Sequence, residues 1–243
     1  MEKFIRDCIL DHMERHNLYF TTHQHGFRKG RSCETQLIEV LDDWTEQLDN
    51  RNAIDTIYLD FQKAFDTVPH KRLINKLQSY GICGNILGWI RDFLANRKQK
   101  VVINGTDSDW TTVTSGIPQG SVLVLDPILF TIYINDLPDV VQNIAKTFAD
   151  DTKVYAVVNK EEEQHSLLQN DINNLVHWSD KWLLKFNKSK CKHATNTKYK
   201  MGENEINQVT GEKDLGILID DKLKFQQHIN QQTKKSKPKT WNV

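Results

Sequence analysis

Two aspartates, Asp150 and Asp151, stand side by side in a stretch whose other residues favour β-structure. The surrounding pattern predicts a strand, a tight turn and a second strand, with both acids at the tip of the hairpin. Adjacent carboxylates repel one another, so this pair either lies in open water or is neutralised by a cation. A third acid, Asp60, ends a separate stretch, residues 53–61, that is predicted to form a buried strand.

If the strand ending at Asp60 lies beside the hairpin that carries Asp150, the two carboxylates converge on one point. Carboxylates without a nearby cysteine or histidine cluster are hard oxygen ligands, which favour Mg²⁺ or Mn²⁺. Two such ions can hold the attacking and leaving oxygens of a phosphoryl transfer. The residues alone leave a plainer interpretation open, because an aspartate at a strand end or hairpin tip is usually a turn or cap residue.

The rest of the sequence mixes helical and strand patterns with several antiparallel signals, which predicts an α+β fold. An Asn-Gly pair at 104–105 predicts a β-hairpin, and short β runs follow Phe186 and continue to residue 220. Helical spacing of apolar residues predicts helices over 2–18, 33–50, 70–81, 85–97, 127–137 and 161–185.

The composition narrows the class of protein. Acidic and basic residues are equal in number, but the acid-free, lysine-rich segment 222–243 leaves the rest of the chain net acidic. Such a segment suits contact with nucleic acid or simple solubility. Four scattered cysteines do not suggest a disulfide framework, and no signal peptide or membrane-spanning run is evident. We therefore expect an intracellular protein, in nucleus or cytoplasm, with no membrane partner.

Four stretches occur in a characteristic order: YLDFQKAFDTVPHKRL, SGIPQGSVL, FADD and WLLKFNKSKCK. In this order they resemble the reverse transcriptases of non-LTR (LINE-type) retrotransposons, over about residues 2–230. The resemblance implies the palm of a right-handed polymerase, a small antiparallel sheet backed by helices, with partial fingers and the thumb largely absent. It implies four segments in one reverse transcriptase domain: partial fingers (1–52), palm with a fingers-side hairpin (53–198), a primer-grip-like end (199–221) and a basic tail (222–243).

The same resemblance assigns roles to the acids. It implies that Asp60 and Asp150 bind two Mg²⁺ (or Mn²⁺) ions and that Asp151 is the neighbouring, less directly involved acid of the site. It places Lys190 near the triphosphate as a possible proton donor to pyrophosphate. It makes Phe65 a steric gate whose ring excludes a ribonucleotide 2′-OH, although on its own Phe65 fits a core aromatic residue equally well.

The loop that resembles the nucleotide loop, GIPQGS at 116–121, contains Gln119 and Gly120. Two glycines would let its backbone approach a ligand closely, and the Gln119 amide could bind base or sugar. The family usually reads PQGSVLGP here, whereas this chain reads PQGSVLVLDP, with two extra residues and an added carboxylate at Asp126. This departure is expected to displace the loop.

Two further stretches are matched to nucleic-acid contacts. Arg28, Lys29 and Arg31 lie in GFRKGRS, which resembles a fingers motif that touches template or triphosphate. Leu215 and Gly216 lie in EKDLGILID, which resembles the primer grip. As plain sequence, the first stretch is more often only a solvated basic loop.

The expected function is RNA-directed DNA polymerisation, in which a DNA primer on an RNA template is extended with dNTPs. Relative to the family, an upstream fingers segment and a full thumb are expected to be missing. One alternative is therefore a catalytically inactive, polymerase-derived protein that binds nucleic acid. Another is a nucleotide cyclase on a palm-like sheet, which would explain the acids but neither the PQG stretch nor the position of Phe65.

Overall fold

The computed structural model describes residues 1–18, 23–118, 125–158, 163–194 and 197–236. The helices of these ranges are α1 Glu2–Arg15, α2 Cys33–Asp49, α3 Ala64–Thr67, α4 His70–Ser79, α5 Gly84–Leu94, α6 Asp126–Tyr133, α7 Glu163–Trp182 and α8 Gln226–Ser236, with a 3₁₀ turn at Pro138–Val140. The strands are β1 Ala53–Leu59, β2 Lys98–Gln99, β3 Val102–Ile103, β4 Thr106–Asp107, β5 Thr111–Thr112, β6 Ile144–Phe148, β7 Asp151–Val158, β8 Lys192–Ala194, β9 Lys200–Met201, β10 Asn204–Glu205, β11 Asn207–Gln208, β12 Gly211–Asp214 and β13 Ile217–Asp220.

The centre of the fold is a five-stranded sheet in the order β11-β8-β1-β7-β6. Strand β1 lies between β7 and β8 and is antiparallel to both, and β6 and β7 form an antiparallel hairpin. Strand β11 pairs in parallel with β8 at one edge of the sheet. The predicted α+β class and antiparallel palm-like sheet are therefore confirmed.

Both faces of the sheet are covered, as the alternation of side chains along β1 requires. Ile57 belongs to the large core, which also contains Phe130 of α6 and Leu175 of α7. The neighbouring Tyr58 instead packs with a smaller cluster that includes Trp44 of α2 and Ile219 of β13. Helices thus back one face, while α2 and the β12–β13 hairpin cover the other.

Local patterns predicted several other elements well. The Asn104-Gly105 pair forms the turn between β3 and β4, and both residues have positive φ, as a type I′ hairpin turn requires. Helix α6 begins one residue before its proline, so that Pro127 lies just inside the first turn. The sequence predicted no element in the basic segment 222–243, where the structure has α8. In the described part of the chain, no helix combines the length and apolarity needed to cross a bilayer.

Candidate active site

Sheet pairing brings the three acids to one end of two neighbouring strands. Leu59 of β1 pairs with Thr152 of β7, so Asp60 and Asp151 stand next in line on adjacent strands. Asp150 lies in the two-residue turn that the Phe148–Asp151 pair closes. The sequence expectation that the strand of Asp60 runs beside the hairpin of Asp150 is therefore met by the sheet.

The turn that carries Asp150 has an unusual backbone. Its first central residue, Ala149, has φ of +54°, a region that residues other than glycine rarely adopt. Such conformations persist only where the surroundings enforce them. Ala149 is buried, and its backbone N–H donates to the side-chain oxygen of Gln24 over 3.1 Å. The turn is thus held by a residue that the sequence analysis did not single out.

The raised pKa values of the acids show that negative charge is crowded here, as suits the binding of a cation. Crowding by the surrounding protein raises the pKa of Asp151 to about 6, although its side chain retains exposed surface, and the charges of Asp150, Asp214 and Asp60 add to the rise. Burial also raises the pKa of Asp150, and the charge of Asp60 contributes in the same direction. Asp214, on β12, is a fourth acid close enough to influence the cluster.

The backbone of Asp60 is held by a hydrogen bond, whereas one of its carboxylate oxygens has no partner in the described part of the chain. Its carbonyl oxygen accepts a hydrogen bond of 2.7 Å from the Asn187 N–H, at the start of the turn that carries Lys190. The Nζ atom of Lys190, largely exposed, lies 3.5 Å from Asp60 Oδ2. Asp60 Oδ1 is buried and accepts no hydrogen bond within the described part of the chain. The site therefore brings together Asp60, Asp150, Asp151 and Lys190.

These residues fit a magnesium-like cation that is completed by a substrate. Among the described residues, no group of three or more His, Cys, Asp or Glu side chains is arranged as a ready-made metal cage. Mg²⁺ commonly takes one or two protein carboxylates and draws its other ligands from water and substrate phosphates. The unpaired Asp60 Oδ1 offers a free oxygen ligand, and the crowding of negative charge that raises the pKa of Asp151 would be relieved by a bound cation.

A cavity of about 90 Å³ adjoins the acids and is bordered by Asp60, Asp151 and Lys190. Gln36 of α2 also lines it, almost completely buried, and neither polar atom of its amide has a hydrogen-bond partner in the described part of the chain. Sequence analysis missed Gln36, because helical spacing marks it only as one more residue near the buried face of α2.

The hairpin predicted to resemble a primer grip forms another wall of this cavity. Leu215 lines the cavity, and Leu215 and Gly216 are the central residues of the turn between β12 and β13, both with positive φ. Asp214 at the end of β12 forms a buried ion pair with Lys153 of β7. This ion pair fastens the hairpin to the strand that begins at Asp151.

Phe65 lies at the border between core and surface. It is partly buried, and its ring stacks on Phe130 with centroids 4.4 Å apart. Its carbonyl oxygen accepts a hydrogen bond of 2.8 Å from the Ile117 N–H. This bond holds the loop 116–121, which resembles the nucleotide loop, against the segment after β1. The steric-gate role stays a prediction, because a half-buried ring suits both a gate and a core aromatic.

The first glycine of that loop, Gly116, is required by backbone packing. Gly116 has φ of +89°, and a Cβ there would lie 2.6 Å from the Asp66 carbonyl oxygen. The close packing of these two backbone segments therefore requires a glycine at this position, and an approach of the loop to a ligand stays a prediction. Gln119 and Gly120 lie outside the described residues. Asp126, expected near the nucleotide, is buried in the first turn of α6.

Two of the three basic residues of the fingers-like stretch, Arg28 and Arg31, have partners within the protein. Arg28 and Lys29 border a groove whose other wall is the acidic side of α1. Arg31 Nη1 lies 3.5 Å from Glu39 Oε2, and Glu39 also receives Lys146 Nζ at 2.5 Å. Arg31 thus pairs with Glu39 of α2. Part of the positive charge that the sequence suggested for nucleic-acid binding is therefore already paired within the protein.

The fold and the acid cluster define a polymerase palm of the reverse transcriptase class. The family model described as reverse transcriptase (RNA-dependent DNA polymerase) matches residues 1–234. The chain therefore belongs to the reverse transcriptase family.

Its relatives include polymerases of non-LTR transposons. It is 28% identical to the probable RNA-directed DNA polymerase from transposon BS of Drosophila melanogaster, over 96% of this chain and 27% of that protein. It is 29% identical to the RNA-directed DNA polymerase from mobile element jockey of Drosophila funebris, over 85% of this chain and 24% of the relative. The chain thus spans about a quarter of the length of these relatives. Reverse transcriptases generally use divalent metal ions.

Solved structures support the fold. Apo telomerase from Candida tropicalis, truncated from its C-terminal domain, superimposes with a TM-score of 0.59 at 9% identity and covers 90% of this chain and 43% of its own. Telomerase from Candida albicans, in complex with a fragment of telomeric RNA, gives a TM-score of 0.56 at 11% identity and covers 90% of this chain and 38% of its own. At these identities the likeness concerns the fold alone.

Proposed function

We propose that this chain carries the catalytic palm of an RNA-directed DNA polymerase of the non-LTR retrotransposon type. The reaction is attack of a primer 3′-OH on the α-phosphate of a dNTP, which forms a phosphodiester bond and releases pyrophosphate. The observation that carries the proposal is the convergence of Asp60, Asp150 and Asp151 at one end of β1 and β7 in a reverse transcriptase fold. The proposed partners are an RNA template, a DNA primer and dNTPs.

The proposed roles follow the surroundings of each acid. Asp60 and Asp150 would hold two Mg²⁺ (or Mn²⁺) ions, with Asp151 as the adjoining acid. Ions bound there would lower the pKa of an attacking hydroxyl and balance the charge on the departing phosphates. Lys190, which is mostly exposed and lies beside Asp60, would reach a bound triphosphate from there and donate a proton to pyrophosphate. Phe65 is proposed as the steric gate.

The remaining proposals concern which residues contact the primer, the nucleotide and the template. Leu215, which lines the cavity beside the acids, and the adjacent Gly216 would contact the primer end. Gln119 and Gly120 would contact the incoming nucleotide. Arg28 and Lys29 are candidates for the triphosphate or template. Arg31 would have to exchange its contact with Glu39 for one with nucleic acid.

We propose the same division of the chain as the sequence suggested: fingers (1–52), palm (53–198), primer-grip-like end (199–221) and basic segment (222–243). The lysines of the last segment, some of them on α8, suit contact with the phosphate backbone.

A primer-extension assay tests the proposed function. The wild-type chain is incubated with poly(rA), oligo(dT), dTTP and Mg²⁺ or Mn²⁺, with and without template. Extension that depends on template supports the polymerase. A chain that binds the hybrid without extending it supports the inactive binding protein, which the two extra residues before Pro127 favour. Template-free conversion of a nucleoside triphosphate to a cyclic product would support the cyclase.

A further inference from the structure

The acidic turn is braced from outside the sheet by the short segment 23–26. His25 N–H donates to the Thr147 carbonyl over 2.9 Å, and Thr147 N–H donates to the His23 carbonyl over 2.9 Å. Gln24 thereby forms a parallel bridge with Thr147, at the outer edge of β6. The segment acts as an extra edge pairing that runs alongside the strand leading to Asp150.

The Gln24 side chain turns from this edge onto the tip of the hairpin. Its Oε1 accepts two hydrogen bonds, 2.7 Å from the Gly26 N–H and 3.1 Å from the Ala149 N–H. Gln24 is only 4% exposed, so both bonds are shielded from water. A single amide oxygen therefore ties the brace to the one residue of the turn with positive φ.

The packing around this contact leaves no room for adjustment. A Cβ at Gly26 would lie 2.5 Å from the Ala149 nitrogen and 3.0 Å from Gln24 Oε1. Gly26 has no positive φ to explain the glycine, so the close approach of the turn is its reason. The brace is itself anchored to α2, because His25 Nε2 lies 2.9 Å from Glu39 Oε2.

We propose that Gln24 is a positioning residue, whose side-chain oxygen fixes the Ala149–Asp150 turn and thereby aims the Asp150 carboxylate. Without this acceptor, the buried Ala149 N–H would lose its partner, and the turn would relax to a backbone better suited to alanine. The consequence for catalysis rests on the proposed function. Misplacement of a reacting group by 1 Å costs roughly 100-fold in rate.

Amide hydrogen exchange tests the contact without any substrate. In ¹⁵N-alanine-labelled protein, Ala149 should exchange slowly, and Gln24→Met should speed its exchange at least about tenfold, since the hydrogen bond is lost. Ala156 of β7 pairs with Asp55 on β1, so its exchange should stay unchanged and serve as internal reference. Gln24→Glu keeps the acceptor and should preserve slow exchange. Unchanged exchange of Ala149 in Gln24→Met would overturn the inference, whatever the wild-type chain does with a primer.

Primer extension then tests the catalytic consequence. Gln24→Met should lower kcat by about 100-fold with KM for dNTP nearly unchanged, in assays run well below its melting temperature, because the unpaired Ala149 N–H also costs some stability. Gly26→Ala should behave similarly, whereas Gly88→Ala is the matched control because a Cβ at Gly88 meets nothing within 4 Å. Faster exchange at Ala149 with an unchanged kcat would refute the positioning role. An inactive wild-type chain would refute the proposed polymerase, and the exchange result would still decide whether Gln24 holds the turn.

Discussion

Replacement of Asp151 by asparagine should stabilise the folded chain at neutral pH, while it harms a site that needs the charge. The pKa of Asp151 rises from 3.8 to about 6 in the folded state, first through burial and then through Asp150 and Asp214. The folded state therefore holds this proton up to about pH 6, whereas the unfolded chain loses it near pH 4. The cost of charging Asp151 thus accumulates between about pH 4 and 6 and is fully present above that window.

The magnitude follows from this pKa difference after allowance for solvent. Each unit of difference in pKa between the folded and unfolded chain is worth at most about 1.4 kcal/mol. Because the Asp151 side chain is exposed, solvent screens much of this energy. We expect Asp151→Asn to gain about 1 kcal/mol at pH 7.5, which raises the melting temperature by about 2–4 °C in a chain of this size. The gain should shrink as the pH falls below about 6 and vanish near pH 4.

Thermal melts of wild type and Asp151→Asn from pH 4 to 8 measure this effect. Asp92→Asn, which removes an exposed carboxylate on α5, controls for the loss of one negative charge. Added Mg²⁺ should raise the melting temperature of wild type more than that of Asp151→Asn, since only wild type keeps all three carboxylates. An Asp151→Asn gain that is absent at pH 7.5, or that is equal at pH 4.5 and 7.5, would refute the electrostatic reasoning.

Two further substitutions separate function from stability. Phe65→Val should increase rNTP incorporation relative to dNTP in primer extension, and unchanged sugar discrimination with intact activity would make Phe65 a core aromatic only. Gln36→Leu should raise the free energy of unfolding by about 1 kcal/mol in urea melts, because it removes a buried amide without partners in the described part of the chain. Equal or lower stability would mean that this amide is satisfied in solution.

The sequence predicted those parts of the site that depend only on neighbouring residues in the chain. The strand that ends at Asp60 and the hairpin at Asp150 both follow from short apolar runs broken by polar turns. Their side-by-side placement was an expectation that only the sheet pairing could settle. The Asn104-Gly105 turn is equally local, because its geometry depends on two residues.

The features that sequence analysis missed depend on contacts between distant parts of the chain. Asp214 influences the acids because its hairpin packs against β7, far away in sequence. Gln24 braces the turn across an interval of 125 residues. The packing reason for Gly116 is also invisible in the sequence, because no neighbouring residue indicates that the Asp66 backbone passes within reach of a Cβ. The periodicity of apolar residues carries no information on contacts between residues that are distant in sequence.

Asp60 and Asp150 are proposed to drive nucleotidyl transfer together, and single-turnover primer extension tests this proposal most directly. Wild type, Asp60→Asn, Asp150→Asn and the control Asp92→Asn are compared on an RNA template with a DNA primer, saturating dNTP and Mg²⁺. Loss of a metal-binding carboxylate removes several kcal/mol of transition-state stabilisation, so either site variant should extend the primer more than about 100-fold more slowly. The control should match wild type, and all four should bind the hybrid equally. Extension by Asp60→Asn and Asp150→Asn at the wild-type rate would contradict the account.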